Sequence, residues 1–383
     1  MEGFVETVEG RTKLLVPSLS LTERVPPKVP AFFNPAAKLN RDLSVLAYRA
    51  FAPRLEKGEK ALADGFTGIG ARALRAAVEV PELEKVYGND VNPTAIAAAR
   101  ESARINGIGD KCVFSVNEVC KFLLAGDERG ERFGIVDLDP FGTPAMHIDC
   151  VLRSVLDDGL ISITATDTAV LHGVYPEVCR RRYYGLPLNN SYGNEVAVRL
   201  LTSMIALTAS RLELAIKPVF CHAVSTYLRV YAVVQVSSGG ANSVYDSIGY
   251  VMHCFNCGHR VSAAEYPAGE IKCGLCGHRM RVGGQLWTGP LHDPGFVKEM
   301  LKEDAGADAR CRKILESAAG EIADIPYYFK GDEISSRLKT NPRSIDKIVD
   351  RMREAGYRAS RTALNPGAFK TDATIEKILA VLT

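Results

Sequence analysis

The sequence predicts an α/β protein in which a doubly wound, largely parallel β-sheet is followed by a smaller α+β region. Short apolar runs alternate with helical stretches between residues 60 and 166. Two long β-branched runs, residues 212–224 and 227–236, then follow each other closely and predict an antiparallel hairpin. Four cysteines in two Cys-x-x-Cys pairs mark a separate segment over residues 253–281.

Length and net charge limit how the protein can be organised and how it can bind nucleic acid. The chain has 383 residues, enough for two or three domains with their own cores. Its 47 Lys and Arg residues against 45 Asp and Glu leave a net charge of +2, which excludes nucleic-acid binding by bulk charge and leaves room for a local basic surface.

Membrane and secretory signals are also missing from the sequence. No apolar run approaches the roughly 20 residues of a membrane span, and the N-terminus lacks the basic start and apolar core of a signal peptide. We therefore expect a cytoplasmic, reducing location without a membrane partner, and no obligate protein partner is evident. The ten cysteines are expected to be thiols or metal ligands and not disulfides.

The predicted elements follow one another in a regular order. Two short N-terminal strands (4–8 and 13–16) precede a proline-rich passage at 26–30, and together they form a wrapping segment. Sheet strands are predicted at 60–63, 85–87, 111–116, 134–138 and 160–166, with helices between them. Asn92 is expected to cap the helix that begins at Pro93, where proline suits the first helical position. A longer helix from Asn194 to about Ser210 leads into the hairpin.

A break at residues 237–240, Ser-Ser-Gly-Gly, predicts two domains. The sheet domain, with its wrapping segment, spans residues 1–240, and a C-terminal domain spans 241–383. The C-terminal domain contains a cysteine ribbon at 250–285. Over 325–383 a helix, a turn, a helix capped by Ser344 and an extended stretch give the outline of a winged helix.

A glycine-rich turn lies between the first sheet strand and its helix. Asp64 precedes Gly65, Gly68 and Gly70, a spacing that differs from the Gly-x-Gly-x-x-Gly of a dinucleotide fold. A carboxylate at this point would repel a pyrophosphate but would suit the ammonium group of a bound methionine moiety. The loop therefore favours S-adenosylmethionine as cofactor, with a plain structural turn as the alternative.

Polar residues also end the next two strands. Asp90 follows the second strand at the place where an acid can accept hydrogen bonds from both ribose hydroxyls. Asn117 and Glu118 follow the third strand and could contact adenine. For Asp90 the alternative is a carboxylate that only caps a helix. Ligands of such sheets bind outside the carboxyl ends of the strands, where all these groups are predicted to meet.

The fourth strand runs into Asp139-Pro140-Phe141-Gly142. This order is similar to the Asp/Asn-Pro-Pro-Tyr/Phe motif of amino-methyltransferases, with one proline in place of two. An exocyclic amine on a nucleobase is a poor nucleophile because its lone pair is delocalised. Asp139 and the carbonyl of Pro140 could accept its two N–H groups, and Phe141 could stack on the base. The alternative is a β-turn with a buried Phe141.

Aromatic and basic residues elsewhere could complete such a pocket. Phe32 and Phe33 precede Asn34-Pro35 and could flank a base or cofactor, or simply pack. Arg180, Arg181 and Arg182 stand beside two tyrosines and suit phosphate and base contacts, or form a solvated loop.

The cysteine quartet is the most specific pattern in the chain. The spacing Cys-x2-Cys-x15-Cys-x2-Cys lies in the range of zinc sites, and four thiolates favour a tetrahedral, closed, structural Zn²⁺ site. The ligands would be Cys254, Cys257, Cys273 and Cys276. The other six cysteines are expected to be buried thiols.

Together these motifs resemble the tRNA guanine-26 N2-dimethyltransferase family, and the cysteine set resembles its archaeal branch. The resemblance implies a class I, Rossmann-like S-adenosylmethionine-dependent methyltransferase domain and a C-terminal domain that binds tRNA. It implies cofactor contacts from Arg41, Arg72, Asp90, Asn117 and Glu118. The family commonly has Phe-Tyr-Asn-Pro, and Phe33 replaces that tyrosine, so a role for its hydroxyl does not transfer.

The expected reaction is transfer of one or two methyl groups to N2 of a flipped guanine-26. The base would stack on Phe141 with Phe32 or Phe33 nearby, while Asp139 orients the amine and takes its proton. Two alternatives remain at this point. One is an amino-methyltransferase for another RNA or DNA base, and the other is a non-catalytic zinc-ribbon protein that binds nucleic acid.

Overall fold

The computed structural model describes residues 1–56, 58–125, 132–303 and 306–383, and it begins with an antiparallel hairpin. Strands β1 (Phe4–Glu9) and β2 (Thr12–Pro17) form this hairpin. The hairpin lies on the sheet domain, because the backbone N–H of Leu15 donates to Ser102 over 2.8 Å and the Thr12 hydroxyl donates to Glu79.

A seven-stranded mixed sheet forms the centre of the molecule. Its strands are β3 (Ala61–Asp64), β4 (Lys85–Asn89), β5 (Cys112–Ser115), β6 (Phe133–Leu138), β7 (Val155–Ala165), β8 (Leu214–Val224) and β9 (Tyr227–Val236). The order across the sheet is β5-β4-β3-β6-β7-β9-β8. Strands β3 to β7 pair in parallel, whereas β9 is antiparallel to both β7 and β8. The predicted α/β class, with a parallel sheet and a closing hairpin, is confirmed.

Helices cover both faces of this sheet. They are α1 (Leu19–Thr22), α2 (Lys38–Phe51), α3 (Ala71–Glu79), α4 (Pro93–Ile105), α5 (Val119–Leu124), α6 (Ile148–Ser154), α7 (Thr168–Leu171), α8 (Pro176–Tyr183), α9 (Gly193–Ser210) and α10 (Ser238–Asn242). Asn92 caps α4 as expected, accepting hydrogen bonds from the N–H groups of Thr94 and Ala95. Two hydrophobic clusters result, one around α2, α3 and α4 and the other around α6 and α9.

The C-terminal part contains two further small sheets. Strands β10 (Ile248–His253), β11 (Arg260–Ala263) and β12 (Arg281–Trp287) carry the cysteine ribbon. Strands β13 (Phe329–Lys330), β14 (Ala359–Arg361) and β15 (Ala368–Thr371) pack with α13 (Gly331–Leu338), α14 (Ile345–Glu354) and α15 (Ile375–Leu382) around a separate core. Helices α11 (Pro294–Lys302) and α12 (Ala309–Ala319) lie between these two small sheets along the chain.

Buried packing crosses the expected domain break near residue 240. Trp287 and Leu291 belong to the cluster around α9, and Phe296 and Met300 belong to the cluster around α2. The connection is therefore a packed interface, and the boundary at residue 240 remains a prediction.

A buried ionic cluster ties the C-terminal module to the sheet domain. The ammonium group of Lys370, on β15, lies 2.7 Å from Glu195 of α9 and 2.8 Å from Glu321. Arg199 also pairs with Glu195, and its guanidinium donates to the carbonyl oxygens of Trp287 and Gly289. We call Glu195, Arg199, Glu321 and Lys370 the interdomain ionic cluster.

One expectation about the cysteines is wrong. Cys120 on α5 and Cys150 on α6 form a disulfide, because the two helices pack side by side and bring the Cα atoms to 5.4 Å. The remaining four cysteines outside the quartet, Cys112, Cys179, Cys221 and Cys311, are buried thiols as expected. Among the described residues, no helix is both long and apolar enough to cross a membrane.

Candidate active site

The glycine loop between β3 and α3 is shaped by close packing. Gly68 and Gly70 have φ values of 55° and 82°, which favour glycine. A Cβ atom on Gly70 would lie 2.9 Å from Ala99, and one on Gly65 would lie 2.8 Å from Val119. Near Gly68 such an atom would meet only the carbonyl oxygen of Phe32, at 3.7 Å. The glycine loop is therefore less tightly packed at Gly68, where it faces the N-terminal segment.

Asp64 ends β3 with a carboxyl group that is only partly satisfied. The residue is 1% exposed and stands level with Asp137 on the neighbouring β6. Its Oδ1 atom has no hydrogen-bond partner among the described residues. Burial raises the pKa of Asp64 to about 7, and the nearby charge of Asp137 acts in the same direction. A buried acceptor of this kind fits a bound ammonium group.

Asp90 connects the glycine loop to the next strand. One carboxylate oxygen accepts the N–H of Gly68 over 3.0 Å, and the other accepts the N–H of Asn92 over 2.9 Å. The side chain of Asn92 in turn donates to the carbonyl oxygen of Pro30. Asp90 is half-buried and therefore keeps an accessible side at the same edge of the sheet.

Asn117 and Glu118 lie exposed at the end of β5. Glu118 caps α5 by accepting the N–H of Lys121 over 3.0 Å, and backbone hydrogen bonds lower the pKa of this carboxyl group. The backbone N–H of Asn117 donates to Asn89. The predicted cofactor groups after β3, β4 and β5 are thus brought to one edge.

The Asp139-Pro140-Phe141-Gly142 loop presents an aromatic ring to solvent. Phe141 is 65% exposed and meets the ring of Phe32 edge to face, with the centroids 5.0 Å apart. The ammonium group of Lys28 lies 5.0 Å from the Phe141 centroid. A β-turn with a buried Phe141, the alternative considered above, is not what the structure shows.

Hydrogen bonds to the next strand hold this loop. The N–H of Gly142 donates to the Thr166 hydroxyl over 2.6 Å, and the N–H of Thr166 donates back to the carbonyl of Gly142 over 2.9 Å. Tyr183 of α8 bonds to both Thr143 and Asp167. The loop is therefore anchored to β7 and α8.

Asp139 belongs to a charge network of two arginines and two aspartates. Arg72, on α3, pairs with Asp139 and lies 3.4 Å from Asp137. Arg229, on β9, pairs with Asp137, and its Nη1 atom lies 3.9 Å from Asp139. Tyr48 also donates to Asp137. The carboxylate of Asp139 is 25% exposed, while its partners are buried.

Two of the residues predicted for the site, Arg41 and Phe33, are buried and make their contacts within the protein. Arg41 pairs with Glu9 of the N-terminal hairpin over 2.6 Å and lies over the ring of Phe33. Phe33 is 4% exposed and belongs to the core around α2. Phe32, and not Phe33, is the ring that meets Phe141.

Sequence reasoning missed Arg229, Tyr48 and the partner role of Asp137. A signal was available for two of them, because Asp137 and Arg229 are single charged residues within otherwise apolar strands. Such isolated charges are rarely buried unless they are paired.

The four cysteines of the ribbon come together as predicted. The Sγ atoms of Cys254 and Cys276 are 3.5 Å apart, as are those of Cys257 and Cys273, and all four lie within 4.8 Å of one another. A tetrahedral zinc with bonds of about 2.3 Å would need sulfur separations of about 3.8 Å. The N–H of Gly258 bonds to the carbonyl of Cys254, and Gly277 repeats this contact with Cys273. The quartet fits zinc.

Comparison with known proteins agrees with this geometry. A family model described as N2,N2-dimethylguanosine tRNA methyltransferase matches residues 10–383. The chain is similar to the tRNA (guanine(26)-N(2))-dimethyltransferase of the archaeon Methanothermobacter thermautotrophicus, with 33% identity over 378 residues that cover 98% of this chain and 97% of the relative. It is also similar to the tRNA (guanine(26)-N(2)/guanine(27)-N(2))-dimethyltransferase of Aquifex aeolicus, with 35% identity over 295 residues, 77% of this chain and 74% of the relative.

A solved structure shares the fold over nearly the whole chain. The complex of Trm1 from Pyrococcus horikoshii with S-adenosyl-L-methionine has a TM-score of 0.83 and 27% identity, and the match covers 98% of this chain and 99% of that one. The predicted enzyme class, a tRNA (guanine-26 N2)-dimethyltransferase, is confirmed by these matches. The chain belongs to the N2,N2-dimethylguanosine tRNA methyltransferase family.

Proposed function

We propose that this chain methylates the N2 amine of guanine-26 in tRNA once or twice, with S-adenosylmethionine as the methyl donor. One observation carries the proposal: an exposed ring, Phe141, stands two residues from a half-buried carboxylate, Asp139, at the carboxyl edge of the sheet. A ring offers a surface for a flipped base, and a carboxylate offers an acceptor for its amine.

The cofactor would lie across the ends of β3, β4 and β5. Asp64, whose Oδ1 atom has no partner among the described residues, would accept from its ammonium group. Asp90 would bind the ribose, and the exposed Asn117 and Glu118 would contact adenine. Gly65, Gly68 and Gly70 keep the loop compact beneath it. When bound, S-adenosylmethionine supplies an electrophilic methyl group on its sulfonium.

Asp139 would accept one N–H of the amine, and the carbonyl of Pro140 would accept the other. These bonds localise the nitrogen lone pair toward the methyl group, and the nitrogen loses one proton to Asp139 or to solvent as its new N–C bond forms. After one transfer the amine retains a single N–H, so Asp139 can orient a second transfer, and the reaction stops at two methyl groups.

The base would stack on Phe141 beside Phe32. The side chain of Lys28 lies over the Phe141 ring. Because this side chain is long and exposed, an incoming base would displace it. Arg41 and Phe33 would support this pocket from inside the protein, since both are buried. Arg72 pairs with Asp139 and would act on that carboxylate directly. Its effect on the cofactor would be indirect, through Asp139 at the carboxyl edge of the sheet.

The C-terminal domain, residues 241–383, would bind tRNA. Its ribbon at 250–285 would be held by structural zinc, and the module at 325–383 has the helix–turn–helix and β-ribbon of a winged helix. Arg180 and Arg181 are exposed at the end of α8, close along the chain to Tyr183, and would contact phosphates near the catalytic loop. We place the enzyme in the cytoplasm.

The test is nucleoside analysis of tRNA transcripts after incubation with labelled cofactor. The expected products are N2-methylguanosine and N2,N2-dimethylguanosine, and they should vanish when guanine-26 is replaced. The Asp139→Ala variant should lose both products while calorimetry still detects cofactor binding. Methylation of ribosomal RNA or DNA in place of tRNA would show that the substrate is wrong, and an unchanged rate in Asp139→Ala would exclude its role.

A further inference from the structure

Arg229 lies outside the glycine loop and the Asp-Pro-Phe loop, yet its guanidinium reaches the catalytic edge from β9. It is completely buried, and every one of its nitrogens has a partner. Nε donates to Tyr231 over 2.9 Å and Nη2 donates to Ser162 over 2.6 Å. Nη1 donates to Thr164, and Nη2 also pairs with Asp137. The group is thus fixed in one orientation.

Strand register explains how Arg229 reaches the site. On β7, Ser162 stands opposite Asp137 of β6, while Thr164 stands opposite Arg229 of β9. The Arg229 side chain therefore crosses over β7 on one face of the sheet. Its Nη1 atom, held by Thr164, is the atom that lies 3.9 Å from the carboxylate of Asp139.

A network of this kind is a poor way to stabilise a core. Desolvating two buried guanidinium groups is costly, and an apolar core of the same volume is often at least as stable. The charges here surround one partly exposed group, Asp139, whose 25% exposure would fall when a base stacks on Phe141. When water leaves that carboxylate, the two guanidinium groups remain as its partners.

We propose that Arg229 is a positioning residue for methyl transfer, which together with Arg72 holds the carboxylate of Asp139 in the orientation that accepts the amine of the bound base. The inference rests on the proposed function, because it assigns Asp139 as the acceptor of the amine.

Several charged or titratable groups face Asp139. Asp137 adds a negative charge from β6, and Asp64 adds one from β3 when it is ionised. Tyr48 and Tyr227 are buried, which raises the pKa of both hydroxyls and keeps them neutral. His222, on β8 near Arg229, is also neutral, because burial and the two arginines lower its pKa. The only positive charges among these facing groups are Arg72 and Arg229.

The experiment measures single-turnover methylation of tRNA at saturating cofactor, in the full-length enzyme. In Arg229→Gln we expect the rate to fall by roughly 10- to 100-fold, because Arg72 alone then holds the Asp139 carboxylate and a small misplacement of a reacting group is costly. The KM for tRNA and the cofactor affinity should change little. Arg229→Lys keeps the charge and should recover part of the rate.

Tyr48→Phe is the matched control, since it alters the same network without changing a charge, and it should lower the rate less than Arg229→Gln does. If Arg229→Gln does not fold, Thr164→Val loosens the Nη1 atom nearest Asp139 at constant volume and should also lower the rate. An unchanged rate in Arg229→Gln, or in Thr164→Val where Arg229→Gln does not fold, would overturn the inference. Failure of the proposed function looks different, because the unmodified enzyme would then produce no N2-methylated guanosine.

Discussion

Phe32 meets Phe141 edge to face at 5.0 Å, and the same residue turns its carbonyl oxygen toward Gly68 of the glycine loop. One residue of the N-terminal segment therefore contacts the surface proposed for the base and also faces the loop proposed for the cofactor. Asn92 strengthens this connection by donating to the carbonyl of Pro30 over 2.8 Å. The two halves of the site are thus joined by a segment that precedes the whole sheet.

Replacing the exposed ring should weaken the use of tRNA. In Phe141→Ala we expect kcat/KM for tRNA to fall about 5- to 150-fold, because base stacking on an aromatic side chain is worth roughly 1–3 kcal/mol. Phe141→Tyr retains the ring and should keep most activity. Steady-state kinetics with tRNA, alongside calorimetry with the cofactor, provides the measurement, and equal losses in both variants would argue against stacking.

Cofactor affinity should depend on the ionisation of Asp64. Burial raises the pKa of this carboxyl group to about 7, so at lower pH a proton must leave before an ammonium group can bind. We expect the dissociation constant to rise as pH falls from about 7 to about 5.5, by up to roughly tenfold per pH unit, and to level off above about 7.5. Calorimetry in buffers of different ionisation enthalpy should detect the released proton.

Asp64→Asn provides the control for that measurement. The variant removes the titrating group and should bind the cofactor weakly with little pH dependence over the same range. Binding by Asp64→Asn that is as tight and as pH-dependent as in the original enzyme would contradict the role given to this carboxylate.

The arginines at the end of α8 should contribute to tRNA binding through charge. Each phosphate contact removed by Arg180→Ala or Arg181→Ala should lower the slope of log affinity against log salt by about 1. Arg104 offers a matched control, because it is exposed at the end of α4, away from the carboxyl edge, and already pairs with Glu101. Filter binding at several salt concentrations would measure the slopes, and identical slopes in Arg104→Ala and Arg181→Ala would exclude the contact.

Removing one ligand of the quartet should unfold the ribbon without destroying the sheet domain. The ribbon has a very small core, Cys254, Cys273 and Met280, so its folding energy should come mainly from the metal. Cys273→Ser should lose bound zinc and become sensitive to proteolysis within residues 254–281, while cofactor binding persists. Cys311→Ala, a buried thiol outside the quartet, should retain one zinc per chain by elemental analysis.

Breaking the interdomain ionic cluster should be costly for stability. Lys370 bridges Glu195 and Glu321, so Lys370→Met would leave two buried carboxylates without their shared partner. We expect the free energy of unfolding in urea to fall by about 3–5 kcal/mol. Lys377→Met, at an exposed position of α15, should change it by less than about 0.5 kcal/mol.

The sequence indicated the parts of the site that follow from local rules. Asp64 ends a strand and Asp90, Asn117 and Asp139 each follow one, and the carboxyl ends of parallel strands share an edge. The cysteine spacing likewise predicts a shared ion from a local pattern, and the four sulfur atoms do converge.

Features that depend on distant register were out of reach of the sequence. Arg229 reaches Asp137 only because β9 pairs with β7 in one particular antiparallel register. The Cys120–Cys150 disulfide depends on how α5 packs against α6, and general rules about reducing compartments pointed the other way. Arg41 was assigned through resemblance, and its pairing with Glu9 arises from the docking of the N-terminal hairpin.

The interdomain ionic cluster also has a geometric meaning. Its four charged side chains, buried between α9, β15 and the segment that carries Glu321, resist displacement, since any shift would leave a carboxylate unpaired in an apolar medium. The module at residues 325–383 is therefore held by buried ion pairs to the domain that carries the Phe141 ring. A tRNA bound by that module as proposed would present to the ring only the nucleotide that lies at the matching distance, and this distance would then select the methylated position.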